Sequence, residues 1–200
     1  MEEICRISQT GRGRFFLSGA AMYAIMDLVL GIEEGALLDR ERSNRKMKLT
    51  TKRCAVRPFT MDDAPDLYKI LSDKEVMRHI EPPFDLEQTR EFIRTAGLCE
   101  PPLVYALIWR ETGEVIGHVI FHPYDQSGWE IGWVLGRAYW RMGIAQETTE
   151  AMVNYSRTTG IKSCVIECGK AQTVSRHIAL KNHFAPEGEE NGRYIYRLGL

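Results

Sequence analysis

The segment Trp140-Arg-Met-Gly-Ile-Ala145 places a glycine at the entry to a long helical pattern, and that arrangement suits a phosphate. The first turn of a helix carries backbone N–H groups without internal partners, and the aligned peptide dipoles add partial positive charge there. Gly143 lets the backbone come close to a pyrophosphate, Ala145 keeps the next turn slim, and Arg141 can add a charge-assisted contact. Glycine at a helix start is common, so plain loop-to-helix geometry explains the pattern equally well when it is taken alone. Three titratable side chains lie upstream. Glu130 stands in the apolar run Trp129–Leu135, and His118 and His122 share one side of the preceding strand, where an imidazole titrates near neutrality. Each of the three is equally readable as an ordinary polar strand residue.

The five cysteines, Cys5, Cys54, Cys99, Cys164 and Cys168, are odd in number and scattered, which argues against a disulfide framework. Cys164 and Cys168 share a strand face but sit too far apart for one tetrahedral metal, and no second Cys or His pair completes a site. They read as buried thiols, and no metal is expected.

The elements that must position these residues follow from periodicity. The 200 residues, 44% hydrophobic and 26% charged, suit one globular domain with an appendage. A formal charge of −1 with dispersed Lys and Arg excludes a broad nucleic-acid footprint, while leaving room for one phosphorylated cofactor. Phe15 to Met26 is apolar but too short and too broken by Asp27 to span a membrane; it reads first as an amphipathic or buried helix, then as a docking helix, and last as an export signal. Residues 31–51 read as a charged linker or exposed helix, so the chain divides into an extension, 1–51, and a main domain, 52–200, with Met47 an alternative start.

Within the main domain Cys54–Pro58 reads as a strand, and Thr60 with Asp63 as a capping signal ahead of Ala64, Leu67, Tyr68 and Leu71 at helical spacing. Asp85 with Gln88 opens a second helix ending near Gly97. Strands are expected at Leu103–Arg110 and Glu114–Phe121, joined by a turn at Thr112-Gly113, and at Trp129–Leu135. A helix at Gly143–Thr159 has Gly160 as its cap. Strand Ser163–Cys168, helix Thr173–Asn182 and strand Arg193–Leu198 complete a mixed α/β domain, with a largely antiparallel sheet and one crossover unit.

In that context the glycine segment resembles the pyrophosphate-binding motif of the GNAT acetyltransferases, Gln/Arg-x-x-Gly-x-Gly/Ala, with Trp140 in the first position and Gly143 and Ala145 in the later ones. Tyr139-Trp140, Gly143, Ala145 and Glu147 are similar to the Tyr-Trp-Gly-x-Gly-Tyr-Ala-x-Glu of the branch containing ribosomal-protein N-terminal acetyltransferases, with Arg141 where that branch has its first glycine. Glu130-Ile-Gly-Trp133 resembles its Glu-Ile-Gly-Tyr strand. Ser175, Ile178, Lys181 and Phe184 resemble its Asn-x-x-Ser motif and following helix, with Gln172 in place of Asn and His183 in place of Gly. The likeness covers roughly residues 52 to 200 and carries fold and cofactor further than substrate.

The resemblance implies a splayed pair of central strands with the pantetheine arm of acetyl-CoA between them. Backbone groups of Trp133, Val134 and Leu135 would hold that arm, with an oxyanion donor near Val134. Trp140, Arg141, Met142, Gly143, Ile144 and Ala145 would hold the pyrophosphate, and Gln172 and Ser175 would add further contacts. Glu130 is the first candidate for the base, with His118 and His122 as alternatives, and Ser175 is the candidate donor to the thiolate. The tyrosine that some members use as acid is replaced by Ala179, which leaves Tyr194 and Tyr196 as substitutes. The expected acceptor is a peptide or small-molecule amine, in a cleft near Arg78–Phe84 and Pro123–Ser127; Phe84 and Tyr124 would flank it, and Glu81 or Asp125 would attract it. A cytoplasmic enzyme is expected, with neither nucleic acid nor membrane as partner and a homodimer left open. The competing reading is a non-catalytic CoA-binding module of the same fold.

Overall fold

A computed structural model describes residues 47–200. The apolar stretch Phe15–Met26 and the linker up to residue 46 lie outside the described residues. In chain order the elements are β1 (Leu49–Thr50), β2 (Cys54–Arg57), α1 (Ala64–Leu71), α2 (Lys74–Met77), α3 (Leu86–Phe92, widening into a π turn at Ile93–Gly97), β3 (Val104–Trp109), β4 (Val115–Pro123), β5 (Gly128–Leu135), α4 (Ile144–Thr159), β6 (Ser163–Gly169), α5 (Thr173–Lys181), β7 (Ala185–Glu190) and β8 (Arg193–Gly199). They form one sheet in the order β1-β2-β3-β4-β5-β6-β8-β7. Every pairing is antiparallel except β5 with β6, which the α4 crossover joins in parallel.

Two apolar layers sandwich the sheet. Leu67, Ile70 and Leu71 of α1 and Ile93 beyond α3 pack on Val104, Ala106, Ile108 and Val134. On the other face Ile144, Met152 and Val153 of α4 and Ala179 of α5 pack on Tyr105, Leu107, Ile131, Leu135, Cys164, Ile166 and Cys168. Strand alternation assigns successive side chains to opposite layers, with one interruption between Pro186 and Gly188 of β7 and another in β4. Leu107 pairs with Gly117 but Ile108 with Val115, so Ile116 is an extra residue in β4, a bulge. Beyond it Val119 and Phe121 join the α4 layer, while His118, Ile120 and His122 face the α1–α3 layer.

The capping signals form as expected. Asp63 accepts the Thr60 N–H at 2.8 Å, and Asp85 and Gln88 exchange reciprocal bonds of 2.8 Å. Asp63 is also gripped by both Arg57 nitrogens at 2.7 Å, a bidentate pair closing α1 onto β2.

Three elements went unread in the sequence. Leu49–Thr50 forms an edge strand on β2 although it falls within the charged linker, and the neighbouring Met47 is fully buried. Lys74–Met77 makes one helical turn capped by Asp73, which accepts from the Glu75 N–H. Ala185–Glu190 lacks any apolar alternation, and every residue in it is exposed. It pairs because Asn191 and Gly192 both take positive φ, 49° and 77°, as a tight primed hairpin turn requires.

His183 has a backbone role. At φ 65° it follows the C-cap Asn182, with its N–H bonded to the Leu180 carbonyl and the Phe184 N–H to the Ala179 carbonyl. This is a Schellman closure, with Phe184 buried as its apolar lock. A side chain in this conformation is strained, which is why a glycine suits the position.

His183→Gly is therefore expected to raise stability by about 1 kcal/mol in urea denaturation. Asp63→Asn should cost about 1–3 kcal/mol at neutral pH. Burial alone would raise the Asp63 pKa, but the Arg57 and Thr60 donors outweigh it and hold the carboxyl below its usual range. A depressed carboxyl stabilises fully above its unfolded pKa and loses that contribution as pH falls through the folded value, so the gap between wild type and variant should close below about pH 4.

Candidate active site

The site begins where β5 and β6 part. They pair only through Gly128–Ser163, Trp129–Cys164 and Glu130–Val165, yet β5 runs on to Leu135 and β6 to Gly169. The Gly136 N–H bonds to the Ile116 carbonyl and the Tyr124 N–H to the Gly128 carbonyl. Even-numbered residues of β5 therefore direct their backbone groups toward β4, and odd-numbered ones toward β6. Val134 accordingly faces β4, whereas the N–H groups of Trp133 and Leu135 face the opening, beyond the reach of β6.

At the top of the opening the chain makes one 3₁₀ turn, Arg137–Tyr139, and enters α4 through Gly143. Arg141 and Gly143 both take positive φ, 60° and 76°. This turns the loop so that the N–H groups of α4's first turn are presented outward. Trp140, Arg141, Met142 and Gly143 are exposed, while the Ile144 side chain is buried in the core, so only its backbone is presented. The Trp140 indole N–H donates to the Leu135 carbonyl at 2.8 Å and pins the end of β5 to the loop.

The loop is also held from a distant strand, by a residue that sequence patterns missed. Arg53, just before β2, donates Nη1 to the Met142 carbonyl at 2.8 Å and Nε to Glu147 Oε2 at 2.8 Å. Its own N–H donates to Glu147 Oε1 at 2.9 Å. Burial alone would raise the Glu147 pKa, but the Thr51 and Arg53 donors outweigh it and hold the carboxylate below its usual range. Glu147 is thus the anchor for Arg53.

On the α1–α3 side of the branch, Glu130 lies opposite His122, with Nε2 to Oε2 at 3.3 Å. His122 Nδ1 lies 2.8 Å from the Pro123 carbonyl. Both contacts are met when both ring nitrogens carry protons. Burial would lower the His122 pKa, but Glu130, the Pro123 carbonyl and Glu167 together raise it above its ordinary value. His118, by contrast, packs against Phe92 at 5.1 Å, and burial takes it down to about 4, so it stands neutral.

Glu167 was not singled out in the sequence, although it is the one charge in an otherwise uncharged strand. It lies just beyond the last β5–β6 pair and accepts from the Tyr124 hydroxyl at 2.7 Å. Ser175, in the first turn of α5, is half-buried. The Gln172 Oε1 accepts from the Gly169 N–H at 2.6 Å, inside its own turn.

Other candidates are committed elsewhere. Tyr196 is buried in the α4 layer and Phe84 in the α1–α3 layer. Asp125 binds Arg197 at 2.6 Å and the Ser127 and Gly128 N–H groups. Among the described residues no helix is long and apolar enough to cross a membrane.

A strand-shaped opening with unpaired amides, topped by a glycine-entered helix, fits an extended acyl-pantetheine arm ending in a pyrophosphate. The class these features define is an acyl-CoA-dependent acyltransferase. The family model for the acetyltransferase (GNAT) domain matches residues 53–185, and the chain belongs to that family. An uncharacterised N-acetyltransferase, YnaD of Bacillus subtilis (strain 168), is 33% identical over 145 residues, covering 71% of this chain and 85% of the relative. An acetyltransferase of the GNAT family from Bacillus anthracis superposes with a TM-score of 0.70 at 25% identity, over 76% of this chain and 98% of that one. RimL, a ribosomal L7/L12 α-N-protein acetyltransferase solved with coenzyme A, superposes at 0.64 with 22% identity, over 77% and 98% of the two chains. The acyl donor is acetyl-CoA, and the residues around the opening fit it.

Replacing Arg53 with Ala should leave the core intact but free the Met142 carbonyl and Glu147. Acetyl-CoA affinity is expected to fall about tenfold, the loss of one charge-assisted anchor, and calorimetric titration checks it.

Proposed function

We propose that the protein transfers an acetyl group from acetyl-CoA directly to a primary amine, either a peptide N-terminus or a small molecule, in the cytoplasm. The early parting of β5 and β6 beside the α4 entry carries this reading, because it leaves backbone donors where a thioester arm would lie. Acetyl-CoA supplies an electrophilic acyl carbon. A new bond from the amine nitrogen to the acyl carbon replaces the C–S bond, the amine nitrogen loses one proton, and the departing thiolate gains one.

In this reading the N–H groups of Trp133 and Leu135 bind the arm and face the developing oxyanion. The α4 entry, Trp140 to Ala145, seats the pyrophosphate with Arg141 adding charge. Glu130, held by His122, takes the acceptor's proton, directly or through water. Ser175 is the donor to the departing sulfur. Gln172 contributes by shaping the turn below α5. The catalytic domain takes in residues 52–200 together with the edge strand Leu49–Thr50 and the buried Met47, with residues 1–46 as an extension.

A non-catalytic CoA-binding module of the same fold is the second reading. One of its motif departures, His183, has a purely conformational explanation in the α5 closure, which weakens the case for lost activity.

Calorimetric titration with acetyl-CoA, with Gly143→Glu beside it, tests the donor site. Micromolar binding is expected for the wild type. The variant should bind at least about 100-fold more weakly, because a carboxylate beside the pyrophosphate adds a few kcal/mol of like-charge repulsion. An amine panel with thiol detection then tests transfer. Binding without turnover on any amine would favour the second reading, and no binding at all would sink both.

A further inference from the structure

His122 poses a physical problem for the proposed base. Its ring is almost wholly buried, 4% exposed, and burial disfavours an imidazolium. Its partner Glu130 has 17% of its side chain exposed. One carboxylate, itself largely buried, must then offset the desolvation of both members of the pair.

A second carboxylate stands across the branch. Val165 is the residue of β6 that pairs with Glu130, and Glu167 is the next side chain on that same face. The Tyr124 ring reaches over from the end of β4 to donate to Glu167 Oε1 at 2.7 Å, with the Arg197 guanidinium 5.9 Å from the ring centroid behind it. Arg193 of β8 lies 3.9 Å from Oε2, leaving that oxygen only loosely held. Burial and the Glu130 charge raise the Glu167 pKa, while Tyr124 and Arg193 oppose them and Glu190 of β7 adds to the rise. The remaining titratable neighbour on this face of β4, His118, stands neutral.

We propose that Glu167 is a positioning residue for the base: anchored by Tyr124 across the branch, its carboxylate adds the second negative charge that keeps the buried His122–Glu130 ion pair intact. Glu130 keeps a fixed orientation toward the acceptor only while His122 holds both of its protons. Glu167 acts through charge, without touching the ring. The role in turnover rests on the acetyl-transfer reading; the electrostatic coupling does not.

The decisive variant is Glu167→Gln, which keeps the Tyr124 hydrogen bond and removes the charge, with Glu167→Asp as the conservative control. His122 is followed by NMR titration of the full-length protein, and kcat/KM for the best amine is followed against pH. Because an imidazolium is lost as pH rises, removal of a supporting negative charge should move the His122 titration down by about one pH unit. The alkaline limb of kcat/KM should move down with it, and Glu167→Asp should restore most of both shifts. A folded Glu167→Gln protein with an unmoved His122 titration overturns the proposal, as does a moved titration with an unmoved alkaline limb. If no amine is acetylated but His122 moves, the coupling is supported and the transfer reading alone fails.

Discussion

The parting of β5 from β6 is the constraint on which the rest of the site depends. Strands that pair along their whole length satisfy one another's backbone groups, and a buried sheet tolerates few exceptions. Here pairing stops after Glu130–Val165, and each strand relies on its other neighbour, β4 or β8, for support. The two halves of the sheet are thereby free to diverge while each remains a stable ladder. The amides left over at Trp133 and Leu135 are oriented by the regular register with β4, so a ligand there meets donors already fixed in direction. The α4 and α5 layer packs on strands from both sides of the opening.

Around that opening, restraint comes from elsewhere in the chain. The phosphate loop carries two left-handed residues, and only one of them is glycine. Arg141 accepts the conformational cost because neighbouring groups hold the loop. Trp140 is bonded to the end of β5 and Met142 to Arg53, so the loop is fastened on both sides of Arg141. Arg53 in turn is fastened to α4 through Glu147. Thermodynamically, such fastening places the ordering cost in folding, and less remains to be spent when a ligand binds.

Much of this was legible in the residues because local chemistry determines it. The Thr60/Asp63 and Asp85/Gln88 caps, the α4 entry at Gly143 and its exit at Gly160 are all local, and each forms where its residues suggest. The edge strand β7 was hidden because an exposed strand needs no apolar alternation, although Asn191-Gly192 signalled its turn. Arg53 was illegible because its partners Met142 and Glu147 come from a far part of the chain. Glu167 left a faint sign as a lone charge among apolar neighbours, but its meaning depends on where β5 stops, which no periodicity encodes. The family resemblance implies an oxyanion donor near Val134, but the register with β4 turns the Val134 amide toward β4 and leaves those of Trp133 and Leu135 facing the opening.

The bulge at Ile116 gives the two histidines their side of the sheet. Without that extra residue, every side chain of β4 downstream would face the opposite layer. His118 and His122 would then enter the apolar packing under α4, and Val119 and Phe121 would face the branch in their place. A deletion of one residue at this point would therefore exchange the chemistry of the two faces while leaving composition nearly untouched. For descendants of this chain, the length of β4 decides which layer each of its side chains joins.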